Sequence, residues 1–136
     1  MKPMAFRDFL TFGLHGALLA AVWLGGPAAQ AMTWTKIGET QEVVLHVNRN
    51  AVEKDDAIRR VWEMQDLKTA DPDGVMSRRY MNEYDCQYKM HRISQMDSFS
   101  GPGLTGKKLF TVEEPGYWKK IPPYGLFTLT YIWLCK

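Results

Sequence analysis

The chain changes hydropathic character once. From Phe9 to Gly25 it is almost wholly apolar and rich in Ala and Leu, broken only by Thr11 and His15, with Lys2 and Arg7 ahead of the run. Pro27 ends the stretch, and Ala29-Gln30-Ala31 sets small residues at the −3 and −1 positions of a cleavage site. A positive n-region, an apolar h-region and a small-x-small site, in that order, spell a secretory signal peptide. Residues 1–31 are therefore expected to be removed, and the mature chain to begin at Met32. The run is also about as long as a short transmembrane helix, which takes roughly 17–25 apolar residues. The Gly/Pro break just before the site favours cleavage, which leaves no membrane span in the mature protein.

Beyond Ala31 the pattern turns to alternation. Trp34 to Ile37 is a short candidate strand, closed by the turn-prone Gly38-Glu39-Thr40. Glu42 to Asn48 places Val43, Leu45 and Val47 on one side and Val44, His46 and Asn48 on the other, the period-two signature of a half-buried strand. Glu53 to Asp56 reads as a turn or a single helical turn. In Ala57 to Leu67, the residues Ile58, Trp62 and Met64 share a face that Arg60 interrupts. Asp71-Pro72-Asp73-Gly74 is a strong turn, because Pro presets φ and Gly accepts positive φ. It resembles the start of a calcium loop, but Val75 and Met76 stand where that loop needs an oxygen ligand and a glycine. Ser77–Asp85 and Lys89–Phe99 make two long polar strands around Cys86-Gln87-Tyr88, and Lys108–Val112 adds another.

The last segment is ambiguous. Pro122-Pro123 precedes a nearly continuous apolar run from Tyr124 to Leu134, closed by Cys135. Its Thr, Tyr, Ile, Phe and Trp content leans to strand. Its spacing also allows a helix, with Leu126, Leu129, Thr130, Trp133 and Leu134 on one stripe and Pro123 near the first turn.

Removing residues 1–31 from the 136-residue chain leaves 105, enough for one domain, 32–136, with a modest core. The leader carries Lys2, Arg7 and Asp8, so 15 basic residues then face 14 acidic ones. That near-neutral balance argues against nucleic acid as a partner, because phosphate binding needs a concentrated basic surface. Cys86 and Cys135 are the only cysteines. An even count in an exported chain reads as a disulfide, whereas metal or redox use lacks a CxxC spacing and a nearby His cluster. The chemistry of an active site is also missing. There is no GxSxG elbow and no phosphate-cradling glycine loop. His46 and His91 stand alone in strand-like stretches, and Asp55-Asp56 and Glu113-Glu114 are adjacent pairs whose side chains diverge. No enzyme, metal or cofactor is expected.

Several stretches taken in order resemble the surface-adhesin protein E-like family of Gram-negative bacteria. They are Trp34-Thr35-Lys36-Ile37-Gly38-Glu39, Val61-Trp62, Tyr84-Asp85-Cys86, Ser100-Gly101-Pro102, Gly116-Tyr117-Trp118-Lys119-Lys120-Ile121-Pro122-Pro123 and the terminal Cys135. The resemblance implies an α+β fold, an antiparallel sheet of about six strands with a C-terminal helix on its concave face. It implies a helix end tied to the sheet through Cys86 and Cys135, and so a helix over Gly125–Leu134. It also implies a binder of host matrix or serum proteins that pairs into homodimers. The signal ends in Ala-Gln-Ala-Met, with no cysteine to accept a lipid, so a periplasmic or secreted location is expected.

Two binding modes follow. One is docking of an extracellular-matrix or envelope protein on a polar sheet face carrying Arg78, Arg79, Tyr80, Tyr84, Tyr88, His91 and Arg92, since Tyr and Arg are favoured interface anchors. The same tyrosines would serve equally to cover the core. The other is small-ligand carriage in a pocket between helix and sheet lined by Trp62, Met64 and Trp133, side chains that would equally make a filled core.

Overall fold

The structure is a computed structural model and describes residues 32–136. The signal-peptide expectation for residues 1–31 lies outside the described residues. Eight strands and one helix follow in chain order: β1 (Trp34–Glu39), β2 (Val43–Asn48), β3 (Glu53–Asp55), β4 (Ile58–Leu67), β5 (Ser77–Asp85), β6 (Met90–Phe99), β7 (Lys108–Val112), β8 (Lys119–Lys120) and α1 (Leu126–Leu134). The main path of the sheet runs β1-β2-β4-β5-β6-β7, every pair antiparallel, with the short β3 on β4 and β8 on β6. The sheet stays open, with β1 and β7 at its edges. The six-stranded α+β expectation holds, with two short strands added.

The alternation sets most strand bounds. Expected β2 and β7 differ from the observed strands by at most one residue, and Ser77–Asp85 is found as expected. The stretch Glu53–Asp56 departs from the expected turn. It forms β3 and folds back on β4 through Asp56-Ala57, with Asp55 opposite Ile58. Asp56 takes φ 49°, a left-handed conformation Asp tolerates and a two-residue hairpin requires. Pairing with β4 overrides the poor strand propensity of Glu-Lys-Asp.

Register divides the sheet into two faces. Val47 stands opposite Glu63, Val61 opposite Asn82, and Tyr84 opposite both Arg59 and His91. These residues share the face on which α1 lies: Val47, Val61, Tyr84 and Leu134 form the buried cluster, with Phe127, Tyr131 and Trp133 packed against it. Burial of such side chains contributes roughly 1.5–3 kcal/mol each. Leu129 and Leu126 of the helix lie over Gly38 of β1, where a Cβ would make the Leu129 side chain shift.

The C-terminal segment is a helix, as the family resemblance implies and against its β-propensity. Pro122-Pro123 and Gly125, whose φ is 121°, break the chain away from β8 before α1 begins. A nine-residue helix is too short to persist alone in water, where about 12–15 residues are marginal. Packing and a covalent tether hold it instead. Cys135, its C-cap, is bonded to Cys86 in the β5–β6 turn with Cα atoms 5.4 Å apart. The closed loop spans 49 positions, for which chain entropy gives roughly 4 kcal/mol.

We expect reduction, or the Cys86→Ser/Cys135→Ser double variant, to cost about 2–4 kcal/mol and to lower the melting temperature by roughly 15 °C. Calorimetry with and without reductant reads this directly. An unchanged midpoint would show that packing alone holds the helix.

Candidate functional site

The expected binding face does not form. Its seven residues fall in four places, because successive strand residues point to opposite sides. Tyr80, Tyr84 and His91 lie beneath α1. Arg79 and Arg92 lie on the opposite face, Tyr88 projects from the β5–β6 turn, and Arg78 borders a cleft at the end of the sheet.

Beneath the helix the three buried rings surround a carboxyl group absent from the expected site. Glu63, fully buried, accepts a hydrogen bond from the Tyr84 hydroxyl (2.7 Å) and one from Asn82 Nδ2 (3.0 Å). Asn82 also donates to the Tyr84 oxygen (2.8 Å), and its carbonyl oxygen lies 3.2 Å from His91 Nδ1, which donates in the matching tautomer. The His91 ring stacks on Tyr84 at 6.0 Å and meets Phe127 at 4.5 Å, while Phe127 packs edge-on to Tyr80 at 6.3 Å. Tyr80 accepts from Gln65 Nε2 at 2.9 Å.

No cation faces Glu63 in this cluster. Burial therefore pushes its pKa up, against the pull of Asn82 and Tyr84. Burial also raises both tyrosines, helped by the Glu63 charge, and lowers His91, helped by Lys119. Glu63, Asn82 and Tyr84 have no solvent-exposed surface, so no substrate reaches this network as it stands. It is a buried polar core within the sheet, and the helix covers it through Phe127 on His91 and Tyr80, with the buried Thr130 hydroxyl of α1 left without a hydrogen-bond partner. An alternating Tyr80-x-Asn82-x-Tyr84 beside a Val61-x-Glu63 pair was the available signal: a carboxylate on the apolar side of a strand.

The opposite face carries arginine and tryptophan. Across β4, β5 and β6, Glu83 is clamped by Arg60 Nε (2.7 Å) and by Arg92 Nε. Burial would raise Glu83, but the two guanidinium hydrogen bonds prevail and hold its pKa below the ordinary value. Arg92 lies 4.7 Å over the Trp118 ring, and Arg79 lies 6.0 Å over Trp62. Arg79 also binds Asp97 Oδ2 at 3.1 Å, and Thr111 donates to Asp97 Oδ1 at 2.9 Å. At one end of this face, Ser77 Oγ donates to Gly101 O and accepts from Leu104 N, seating the Pro102–Leu104 turn.

The pocket expected from Trp62, Met64 and Trp133 is corrected by the same register. Val61 and Glu63 point toward the helix, so Trp62 and Met64 point away from it. Trp133 stacks beneath Arg49 at 5.4 Å, on a small cleft shared with Val52 and Lys54. The three side chains cannot line one cavity. Arg78 borders a cleft of about 550 Å³ with Glu42, Asp71 and Pro72, and its Nη2 is 3.5 Å from Asp71 Oδ2. Among the described residues, no three His, Cys, Asp or Glu side chains gather as a metal site. No described helix is long and apolar enough to cross a membrane.

The sequence profile named surface-adhesin protein E matches residues 34–136. The chain belongs to that family. Its fold is that of Haemophilus influenzae protein E: crystal form II of that protein superposes with a TM-score of 0.52 at 10% identity, covering 77% of this chain and 93% of that one. Protein E from non-typeable Haemophilus influenzae superposes at 0.52 with 11% identity, covering 80% and 79%. No curated protein matches the sequence. Family membership makes the domain an adhesin-like protein, and the two superpositions establish the fold.

Two measurements check the buried network. A folded pKa above the unfolded value means that the wild type loses stability as pH rises from about 4.5 through the folded pKa of Glu63. Glu63→Gln should therefore be more stable than wild type at pH 7–8, with the difference vanishing below about pH 4 in urea titrations. Tyr84→Phe should cost about 1–3 kcal/mol by stripping a donor from a buried acceptor. A pH-independent gap between Glu63→Gln and wild type would refute the assignment.

Proposed function

We propose that the chain is exported to the periplasm or beyond by residues 1–31, cleaved after Ala31, and that its domain is a non-enzymatic adhesin. In this reading it docks an extracellular-matrix or envelope protein through the sheet face opposite α1. The supporting observation is the arrangement of Trp62, Arg79, Arg60, Arg92 and Trp118 on that face, where two guanidinium groups lie over indole rings.

Tryptophan and arginine dominate protein-interface hot spots, and the ion pairs here hold both arginines in fixed orientation before any partner arrives. A preorganised anchor loses little side-chain entropy on binding. Arg78 and Tyr88 lie outside this face, and Tyr80, Tyr84 and His91 serve the core, so the docking surface differs from the one the sequence suggested. The resemblance also implies pairing of two copies, which would compete with the partner wherever it used this face.

Expression of the full chain in a Gram-negative host, with mass spectrometry of the mature N-terminus and pull-down on matrix and envelope fractions, tests this. Met32 should be the first residue. Trp62→Ser and Arg79→Ser should weaken capture by roughly tenfold or more, while the exposed-turn change Tyr88→Ser should not. Equal capture by all variants, or none by wild type, would remove the face from consideration.

A further inference from the structure

A second surface, on the other side of the molecule, has a different chemistry. The sequence of α1, Leu-Phe-Thr-Leu-Thr-Tyr-Ile-Trp-Leu, is apolar around its whole circumference. Only one side meets the sheet, and a helix apolar on every side is normally covered on every side. Leu129, whose Cδ1 rests against Gly38, and Ile132 are left 44% and 49% exposed, and Tyr124 ahead of the helix and Tyr88 in the β5–β6 turn are 88% and 68% exposed. Between Ile132 and the β5–β6 turn lies a cleft of about 210 Å³ lined by Lys89, Ile121, Pro122, Pro123 and Tyr131. The Tyr131 hydroxyl donates to Cys86 O at 3.3 Å, and Ile121 N donates to Lys89 O at 3.1 Å, so turn, cleft and helix form one continuous surface.

The charge around this surface is one-sided. Lys89, Lys119, Lys120 and Lys136 are all exposed, Arg49 rides over Trp133, and no acidic residue occurs from Lys119 to Lys136. Two of the nearby acids are engaged, while Glu53 and Asp56 stand exposed beside the Cys86 end. The Asp85 carboxylate accepts from the backbone N–H groups of Gln87 and Tyr88, and Glu39 is held by Lys36 and Lys68, which pull its pKa down to about 2.

We propose that this surface seats the domain on an anionic phospholipid bilayer. Leu129, Ile132 and the Pro122-Pro123 cleft enter the headgroup–acyl boundary. Tyr88 and Tyr124 sit at headgroup depth, and the lysines meet lipid phosphates. Apolar side chains ringed by cations and interfacial aromatics suit such a surface. The exposed lysines around the stripe suit an anionic lipid layer better than a neutral protein partner. The Trp62–Arg79 face then points away from the bilayer.

Vesicle co-sedimentation tests the proposal on residues 32–136, whose sheet, core, helix and disulfide are all their own. Residues 1–31 are omitted because their apolar run would itself partition into lipid. Binding is expected to vesicles containing 30% phosphatidylglycerol and not to phosphatidylcholine vesicles, and to fall with added salt. Leu129→Ser/Ile132→Ser should weaken it by roughly tenfold and Lys89→Glu by about fivefold or more, with near-ultraviolet dichroism unchanged. Trp62→Ser, which would abolish protein docking, should leave vesicle binding intact. Equal binding to neutral vesicles, no binding, or a loss of self-association in the Leu129/Ile132 variant with no effect on lipid would overturn it. The last result would assign the stripe to a second copy of the chain.

Discussion

The structure depends on how a short helix is kept on a sheet. Nine residues cannot hold a helix by backbone hydrogen bonds alone, and one side of α1 has nothing in the fold to bury against. The Val47–Val61–Tyr84–Leu134 contact and the Cys86–Cys135 bond together hold it in position. The covalent link fixes the last turn of the helix above the β5–β6 turn, where Leu134 packs on Val47, Val61 and Tyr84, and Phe127 packs the first turn on His91 and Tyr80. A polar network centred on Glu63, with Tyr84 and Asn82 donating to its carboxyl group, then sits inside the joint beneath Phe127.

Two differently built faces follow from that joint. The covered face is apolar with a few buried polar groups. The opposite face is stabilised by cross-strand ion pairs, with Glu83 and Asp97 each shared among several donors. Fixed charges of this kind contribute modestly to stability where water reaches them. Their stronger effect is geometric, since they hold Arg79 and Arg92 against tryptophan rings. Family membership places this arrangement among adhesin-like proteins, and the Trp–Arg face is where a protein partner is proposed to bind.

Strand positions were legible in the sequence because alternation is a local signal, and Val43-x-Leu45-x-Val47 shows it plainly. Which side the helix would cover was not. On β4 both sides carry an apolar residue and a charge, Val61 with Glu63 on one and Trp62 with Arg60 on the other. Only the register with β2 and β5 decides between them. For that reason the expected face mixed buried tyrosines with outward arginines, and the expected pocket joined residues from opposite sides. β3 was missed because its strand character comes entirely from pairing with β4. The C-terminal helix could not be decided from composition, and the family resemblance supplied it correctly.

The position of the disulfide also matters under mechanical load. A pull entering before Cys86 and leaving after Cys135 passes through the sulfur–sulfur bond. The 49-position loop, on the order of 170 Å if fully extended, is thereby shielded from tension. It contains β6, β7, β8 and α1. Extension would have to come from the first five strands, and the proposed membrane-facing helix would keep its shape while they gave way.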